Sequence, residues 1–147
     1  MSADQSASEI IENEVRSAHV SVDVVQQGDP IGHFECHELP IGKLELFDIH
    51  IDPVAIHRRP EDIDRDRNTD FLLATQIEGT VLVKEGEVEL TQGPGDLVIM
   101  SAAEPYTIIH TQKSHRLVLH IPDAIYRERV LAHQEGRQFR PRMIPKG

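Results

Sequence analysis

Histidine is the side chain through which this sequence could most readily do chemistry. The chain carries nine histidines, a number that invites a metal-site hypothesis. Two histidines one residue apart on a strand would share a face and could share an ion, but no such pair occurs. In "GPGDLVIMSAAEPYTI", Tyr106 stands where a metal-binding barrel would place a further histidine ligand. A phenol with an ordinary pKa near 10 is a poor ligand for divalent metals, so we expect no metal site and no cofactor.

Nucleophilic catalysis has equally little support. Ser101 and Ser114 have no base beside them in the sequence. Cys36 stands between His33 and His37, and a nearby imidazolium could lower the pKa of its thiol. A loop cysteine beside histidines is nevertheless usually inert. We therefore expect no catalytic residue and no enzymatic activity.

A binding pocket is the chemistry that remains. Small-molecule pockets are mostly apolar and contain a few polar groups that orient the ligand. Tyr106 could stack on a ring and donate one hydrogen bond, and Arg58, or its neighbour Arg59, could hold a carboxylate through two hydrogen bonds. With Phe47 as a further candidate inside a barrel, the predicted ligand-binding residues are Arg58, Phe71, Leu73, Gln76, Met100, Tyr106 and His120.

Short strands must position these residues. Alternation in "KLELFDIHI" sets Phe47, Ile49 and Ile51 on one face. The turn "KEGE" predicts a hairpin, and the turn "GPGD" supplies Gly95 for a positive φ and Asp96 to bind backbone amides. The run "LVIM" is apolar on both faces and predicts a buried strand. The last two strands, "YTIIH" and "RLVLHI", are expected to form a hairpin around "TQKS".

Other segments carry weaker signals. The capping-box spacing of Ser6 and Glu9 predicts a short first helix, although the chain could become a strand near "VSVDVV". Residues 26–42 are rich in glycine and proline and are expected to be mostly loop. The run "RPEDIDRDRNTD" reads as a solvated charged loop. A helix is predicted to begin near Asp123 and to end before Gly136.

The spacing of these elements predicts an all-β protein. Seven or eight short strands separated by turns favour a sandwich or barrel, with a helix at each end. The 147 residues suit one domain. We divide the chain into an N-terminal segment (1–25), a barrel that binds a small molecule (26–122), and a C-terminal helix with a basic tail (123–147).

Charge and cysteine content exclude several functions. The net charge of −10 gives the folded body no basic face for nucleic acid. A single cysteine cannot form an internal disulfide. No apolar stretch approaches the length of a membrane span, and residues 1–10 lack the features of a signal peptide. These features predict a cytoplasmic protein.

The run from about Leu44 to Val130 resembles the cupin-like ligand-binding half of AraC-type transcription regulators. The resemblance is carried by an arginine at 58 or 59 and by three segments, "LLATQIEGTVLVKEGEVEL", "GPGDLVIMSAAEPYTI" and "LVLHIPDAIYRERV". It implies a cupin-like jelly-roll barrel that binds a small organic effector and forms a homodimer. Such regulators bind nucleic acid only through a separate helix-turn-helix half, which this sequence lacks, so we expect a fragment or a stand-alone sensor.

Three functional hypotheses follow from the sequence. The first is a non-catalytic sensing and dimerisation domain, whose dimer surface is the predicted helix at 123–135 with Ile125, Val130 and Leu131. The second is a metal-dependent cupin enzyme, an isomerase or dioxygenase, which the missing His-x-His pair disfavours. The third is a structural module without a ligand, which requires an interior filled by side chains.

Overall fold

A computed structural model describes residues 23–26, 34–129 and 142–144, with side chains described for 34–129. The predicted first helix lies outside the described residues. The alternative, a strand near "VSVDVV", is found at residues 23–26. The described residues form two antiparallel sheets and two short helices, which confirms the predicted all-β class.

One sheet has five strands in the order β1-β4-β9-β6-β7. Every neighbouring pair in it is antiparallel. Its strands are β1 (Asp23–Gln26), β4 (Val54–Arg58), β6 (Val81–Glu85), β7 (Val88–Gln92) and β9 (Tyr106–His110).

The other sheet has six strands in the order β11-β8-β5-β10-β3-β2 and is also antiparallel. Its strands are β2 (Phe34–Ile41), β3 (Leu44–Ile51), β5 (Phe71–Glu78), β8 (Leu97–Ser101), β10 (Ser114–Ile121) and β11 (Arg142–Ile144). Strands at both ends of the chain, β1 and β11, therefore join the sheets formed by the central segment.

Side chains from both sheets share one main apolar core, in which residues of β3, β5, β8 and β10 pack with residues of β4, β6 and β9. The predicted inward face of β3 is confirmed, because Phe47, Ile49 and Ile51 are all buried. In β8, Val98, Ile99 and Met100 are buried, as expected for a strand that is apolar on both faces.

The two predicted turns are also confirmed. Gly86 has a positive φ of 57° between the paired strands β6 and β7. Gly95 has a φ of 85°, and the Asp96 carboxylate accepts a hydrogen bond of 2.9 Å from the backbone amide of Gly93. These residues serve the fold: Gly86 closes the β6–β7 hairpin, and the turn of Gly95 and Asp96 leads from β7 to β8 in the other sheet.

Two segments expected to be loops are regular elements. Residues 34–41 form β2, which pairs along the whole of β3, so proline and glycine in the surrounding sequence misled the loop prediction. The charged run contains helix α1 (Pro60–Asp66), so its prediction as a solvated loop was wrong. Pro60 begins the helix. The carboxylate of Asp62 is buried, and it accepts hydrogen bonds from the backbone amide and the side chain of Arg59.

The predicted last hairpin was wrong as well. β9 pairs with β4 and β6, whereas β10 pairs with β3 and β5, so the connection between them crosses from one sheet to the other. Turn signals show where a strand ends, but they do not show which strand becomes its neighbour. After this crossing, Ser114 and Arg116 of β10 are buried, and Arg116 reaches Gln92 of the five-stranded sheet.

The second helix, α2 (Asp123–Arg129), begins at the predicted residue and follows Pro122. Its Tyr126 is buried, and its ring stacks on Phe71 with the centroids 4.0 Å apart. The predicted end of this helix lies outside the described residues. Neither described helix has the length and hydropathy needed to cross a membrane.

Gly79, between β5 and β6, is a position where only glycine fits. Its φ is +86°, and a Cβ there would lie 2.5 Å from the carbonyl oxygen of Lys113. We expect Gly79→Ala to lower the free energy of unfolding in urea by more than Gly86→Ala does. Gly86→Ala should lower it only by the cost of a positive φ, about 1–2 kcal/mol, because apart from its chain neighbours no atom lies within 4 Å of the added Cβ. Equal losses in the two variants would contradict this account.

Candidate functional site

A cavity of about 40 Å³ lies within the barrel and receives side chains from both sheets. This volume holds about three water molecules. The interior is therefore neither completely filled nor open enough for a large ligand. The lining is mostly apolar and consists of Phe34, Ile49, Ile51, Ile56, Leu72, Ala74, Met100, Tyr106, Ile108, His110, Arg116 and Val118.

Arg116 is the charged residue of this cavity. It lies on β10, where Ser114, Arg116, Val118 and His120 alternate inward, and it is only 3% exposed. Its Nη1 donates hydrogen bonds of 2.8 Å to Oε1 of Gln76 and to Oε1 of Gln92. No carboxylate pairs with it among the described residues. Burial lowers the pKa of this guanidinium to about 10, so it remains a cation at neutral pH without a counter-ion.

The two glutamines are held so that their oxygens face Arg116. Gln92 Nε2 donates to the carbonyl oxygens of Ala74 and Asp96, at 2.9 and 3.0 Å. Gln76 Nε2 donates to the carbonyls of Glu78 and Gly79, at 3.2 and 3.1 Å. Because both amide nitrogens are occupied by backbone acceptors, each side-chain oxygen is left for the guanidinium. The network joins the sheets, since Gln92 lies on β7 and Arg116 on β10.

Two further polar groups reach the cavity from β9. Tyr106 and His110 share the inward face of this strand with Ile108. Burial raises the pKa of Tyr106 to about 12, which keeps its phenol protonated as a hydrogen-bond donor. Burial, together with the charge of Arg116, lowers the pKa of His110 to about 3. His110 is therefore neutral, and its buried Nδ1 has no hydrogen-bond partner.

The structure brings together only part of the predicted site. Met100 and Tyr106 line the cavity, and Gln76 lies just behind it, holding Arg116. Phe47 is buried in the same core but is not part of the lining. The ligand-binding role of each residue stays a prediction.

Phe71 and Leu73 lie on the wrong face of β5 to be inside the barrel. Leu72 and Ala74 contribute to the cavity, and alternate residues of a strand point to opposite faces. Phe71 instead packs with Ile99 and Tyr126 in a second apolar cluster, against which Leu73 also lies. The predicted ligand-binding residues include Phe71, Leu73 and Gln76 of one strand. Gln76 is an odd number of residues from the other two, so the three cannot share one inner face.

Arg58 is already hydrogen-bonded within the fold. Its Nη1 and Nη2 each donate a 2.8 Å hydrogen bond to the carboxylate of Asp66, and its Nε donates to the carbonyl of Ala102. Its side chain is fully buried. Arg58 and Tyr106 do meet at a separate surface groove of about 440 Å³, whose lining also includes Arg59 and Lys84. A ligand carboxylate at Arg58 would have to displace Asp66.

His120 is buried but is not part of the cavity lining. Its ring lies 4.6 Å from the ring of Phe47, and its Nδ1 is 3.5 Å from Asp70 Oδ2. His110 and His120 lie on strands of different sheets, β9 and β10. On β10, His120 is buried whereas His115 is partly exposed, so the two histidines face opposite sides of the strand.

Sequence reasoning missed Arg116 and His110. The alternation of "SHRLVLH" could have identified Arg116, because it places that arginine on the same face as the apolar Val118. An arginine on an inward face is unusual enough to indicate a role. No comparable signal in the sequence brings His110 to the same cavity, since the two strands belong to different sheets.

The cavity lining does not fit the metal site of a catalytic cupin. It offers one histidine and no carboxylate, and the cation of Arg116 would repel a metal ion. Among the described residues, the only cluster of three metal-binding side chains is Asp48, His50 and His115. That cluster lies on the outer face of the six-stranded sheet.

Comparison with known families agrees with this fold. Residues 11–146 match the AraC-binding-like domain family. The chain belongs to this family. A search among curated proteins found no match to this AraC-binding-like domain.

Solved structures resemble the domain at low sequence identity. The AraC-like transcriptional activator CuxR has a TM-score of 0.65 and 16% identity, covering 76% of this chain and 41% of CuxR. The AraC-binding-like domain thus spans less than half the length of that activator. A cupin superfamily protein from Desulfitobacterium hafniense has a TM-score of 0.51 and 11% identity, covering 67% of this chain and 95% of its own. At these identities, the likeness shows the cupin-type fold.

The neutral state of His110 makes stability depend on pH. Its pKa of about 3 in the folded protein lies below the ordinary value of 6.5, so the unfolded chain binds more protons between these values. The contribution of neutral His110 to the free energy of unfolding is complete above pH 6.5 and is lost as the pH falls. We expect it to decrease by about 1.4 kcal/mol per pH unit, or about 2 kcal/mol between pH 6.5 and 5.

Urea unfolding of the wild type and of His110→Leu over this pH range measures this contribution. The leucine variant should lose less stability between pH 6.5 and 5, because it has no imidazole to protonate. Parallel curves for the two proteins would show that His110 is not buried as a neutral group.

Proposed function

We propose that this AraC-binding-like domain is a non-catalytic sensor that binds a small organic effector in its barrel on behalf of a transcription regulator. Membership of the family supports the general role of a ligand-binding domain in regulation. The observation that carries the proposal is the buried, uncompensated cation of Arg116 in an otherwise apolar cavity.

The chemistry of the cavity selects the effector class. A buried cation without a counter-ion is costly, and an anion that enters the cavity would reduce this cost. A guanidinium binds carboxylates particularly well through charge-assisted hydrogen bonds. Tyr106 can donate a further hydrogen bond, and the aliphatic lining would contact an apolar body. The preferred effector is therefore a small organic acid.

The small volume of the cavity supplies a mechanism for sensing. An organic acid larger than a few waters must displace lining side chains when it binds. Phe34 and Ile56 are the first candidates, since they line the cavity and are only partly buried. A ligand that binds only the opened state shifts the protein toward that state, which is the requirement for a signal.

Dimerisation and nucleic-acid binding complete the proposal. The described residues contain two seven-residue helices and no helix-turn-helix unit, which supports our assignment of DNA binding to a separate half of a regulator. The homodimer surface is assigned to α2, where Tyr126 packs against the barrel and Ile125 remains partly exposed. The cytoplasm is the compartment in which such a regulator would act.

The alternative, a metal-dependent cupin isomerase or dioxygenase, is less well supported. Its reaction requires metal ligands that converge within the barrel, and the cavity provides His110 alone. The third hypothesis, a module without a ligand, fits the small volume of the cavity but gives no role to Arg116.

Thermal-shift measurements test the effector class directly. A panel of aromatic and aliphatic acids should raise the melting temperature, while the matching amides and alcohols, with sugars and amines, should not. The acid that stabilises the wild type should lose most of its effect on Arg116→Gln, because the cation is gone. Arg116→Lys, which keeps the charge, should retain part of the effect.

Arg127→Gln is the matched control, because Arg127 is exposed on α2 and lies outside the cavity lining. It should respond to acids as the wild type does. Equal stabilisation by acids and by their amides, or an acid response that survives Arg116→Gln, would contradict a carboxylate at Arg116. No response to any compound would favour the structural module.

The dimer surface can be tested independently. We expect the wild type to sediment as a dimer at micromolar concentration and Ile125→Glu to weaken the dimer at least about tenfold, since a buried charge is costly. Thr91→Glu is the control, because Thr91 is exposed on β7 in the five-stranded sheet and lies outside α2. A dimer that tolerates Ile125→Glu would place the interface elsewhere.

A further inference from the structure

A cluster of two histidines and one aspartate lies on the outer face of the six-stranded sheet. Asp48 and His50 are two residues apart on β3, so both point away from the buried face of Phe47 and Ile49. His115 on β10 lies directly opposite His50 in the strand register. Two neighbouring strands therefore bring the three side chains together without any loop.

The donor atoms already lie close to one another. His115 Nε2 is 2.7 Å from Asp48 Oδ1, and His50 Nε2 is 3.5 Å from the same oxygen. The imidazole rings are stacked with their centroids 3.9 Å apart and an angle of 20° between their planes. All three candidate ligand atoms lie within 4.8 Å of one another.

We infer that Asp48, His50 and His115 form a binding site for a divalent transition-metal ion of the zinc type. Ligand atoms at about 2.1 Å from a tetrahedral ion are about 3.4 Å apart, so small side-chain shifts would suffice. Two imidazole nitrogens and one carboxylate oxygen suit zinc or nickel, whereas magnesium prefers oxygen ligands alone. The side chains are each 24–35% exposed, which leaves solvent access for a fourth ligand.

This site is distinct from the cavity of the proposed effector. Asp48, His50 and His115 face outward, whereas Arg116, the next residue of β10, faces inward. An ion at the cluster would join β3 to β10 beside the residue that carries the cavity's charge. The inference does not depend on effector binding and can stand if that proposal fails.

Isothermal titration of the tag-free chain with zinc chloride tests the site. The wild type should bind zinc, and His50→Gln, His115→Gln and Asp48→Asn should each weaken one binding event at least about tenfold. Comparison between variants is necessary because histidines outside the cluster can also bind ions. Magnesium chloride should give no binding heat at the same concentration.

His57→Gln is the control variant. His57 is a partly buried histidine of the five-stranded sheet, hydrogen-bonded to Thr107 at 2.9 Å, and lies outside the cluster. It should bind zinc as the wild type does, and zinc should raise the melting temperature of both proteins but not that of His115→Gln. Unchanged zinc binding in the three cluster variants, or no zinc binding by the wild type, would overturn the inference.

Discussion

The buried guanidinium of Arg116 is the constraint on which the interior of this barrel depends. A cation so fully removed from water is tolerated only if its donors are satisfied, and here Gln76 and Gln92 accept two of its hydrogen bonds. Neither glutamine is free to rotate, because its own amide nitrogen is bound to backbone carbonyls beside turns. The turns, the sheet register and the charge in the cavity are thus parts of one network. An uncharged core would need none of these polar residues.

The same network explains how a charged cavity can coexist with a densely packed barrel. The glutamines provide neutral oxygens, so the charge of Arg116 is hydrogen-bonded but not neutralised. The surroundings then impose unusual protonation states, a neutral His110 and a firmly protonated Tyr106. Under the proposal made above, a cavity with one cation, one proton donor and an aliphatic wall selects small organic acids. The AraC-binding-like family offers a biological setting in which such selectivity is useful.

The outer face of β3 and β10 carries a different set of polar side chains from the inner face. On β10, Arg116 contacts the interior while His115 contacts Asp48 on the outside. A strand alternates its faces at every residue, so two unrelated kinds of site can lie back to back on one strand. The ion site inferred there differs from a catalytic cupin centre in position, because it lies outside the barrel. Among the described residues, the lining of the cavity includes no carboxylate and no pair of histidines that could hold a catalytic metal ion.

The sequence by itself determined most of the strands from Leu44 onward, most of the turns and the class of fold, because alternation and turn chemistry are local properties. It placed Phe47 inward and Gly86 and Gly95 in turns correctly, and the resemblance named the family. Only the tertiary structure decided which strands became neighbours, so the expected last hairpin proved to be a crossing between sheets. That crossing brings Arg116 and His110 to one cavity, while strand alternation turns Phe71 toward α2. Contacts between residues far apart in sequence depend on sheet pairing, which local patterns do not encode.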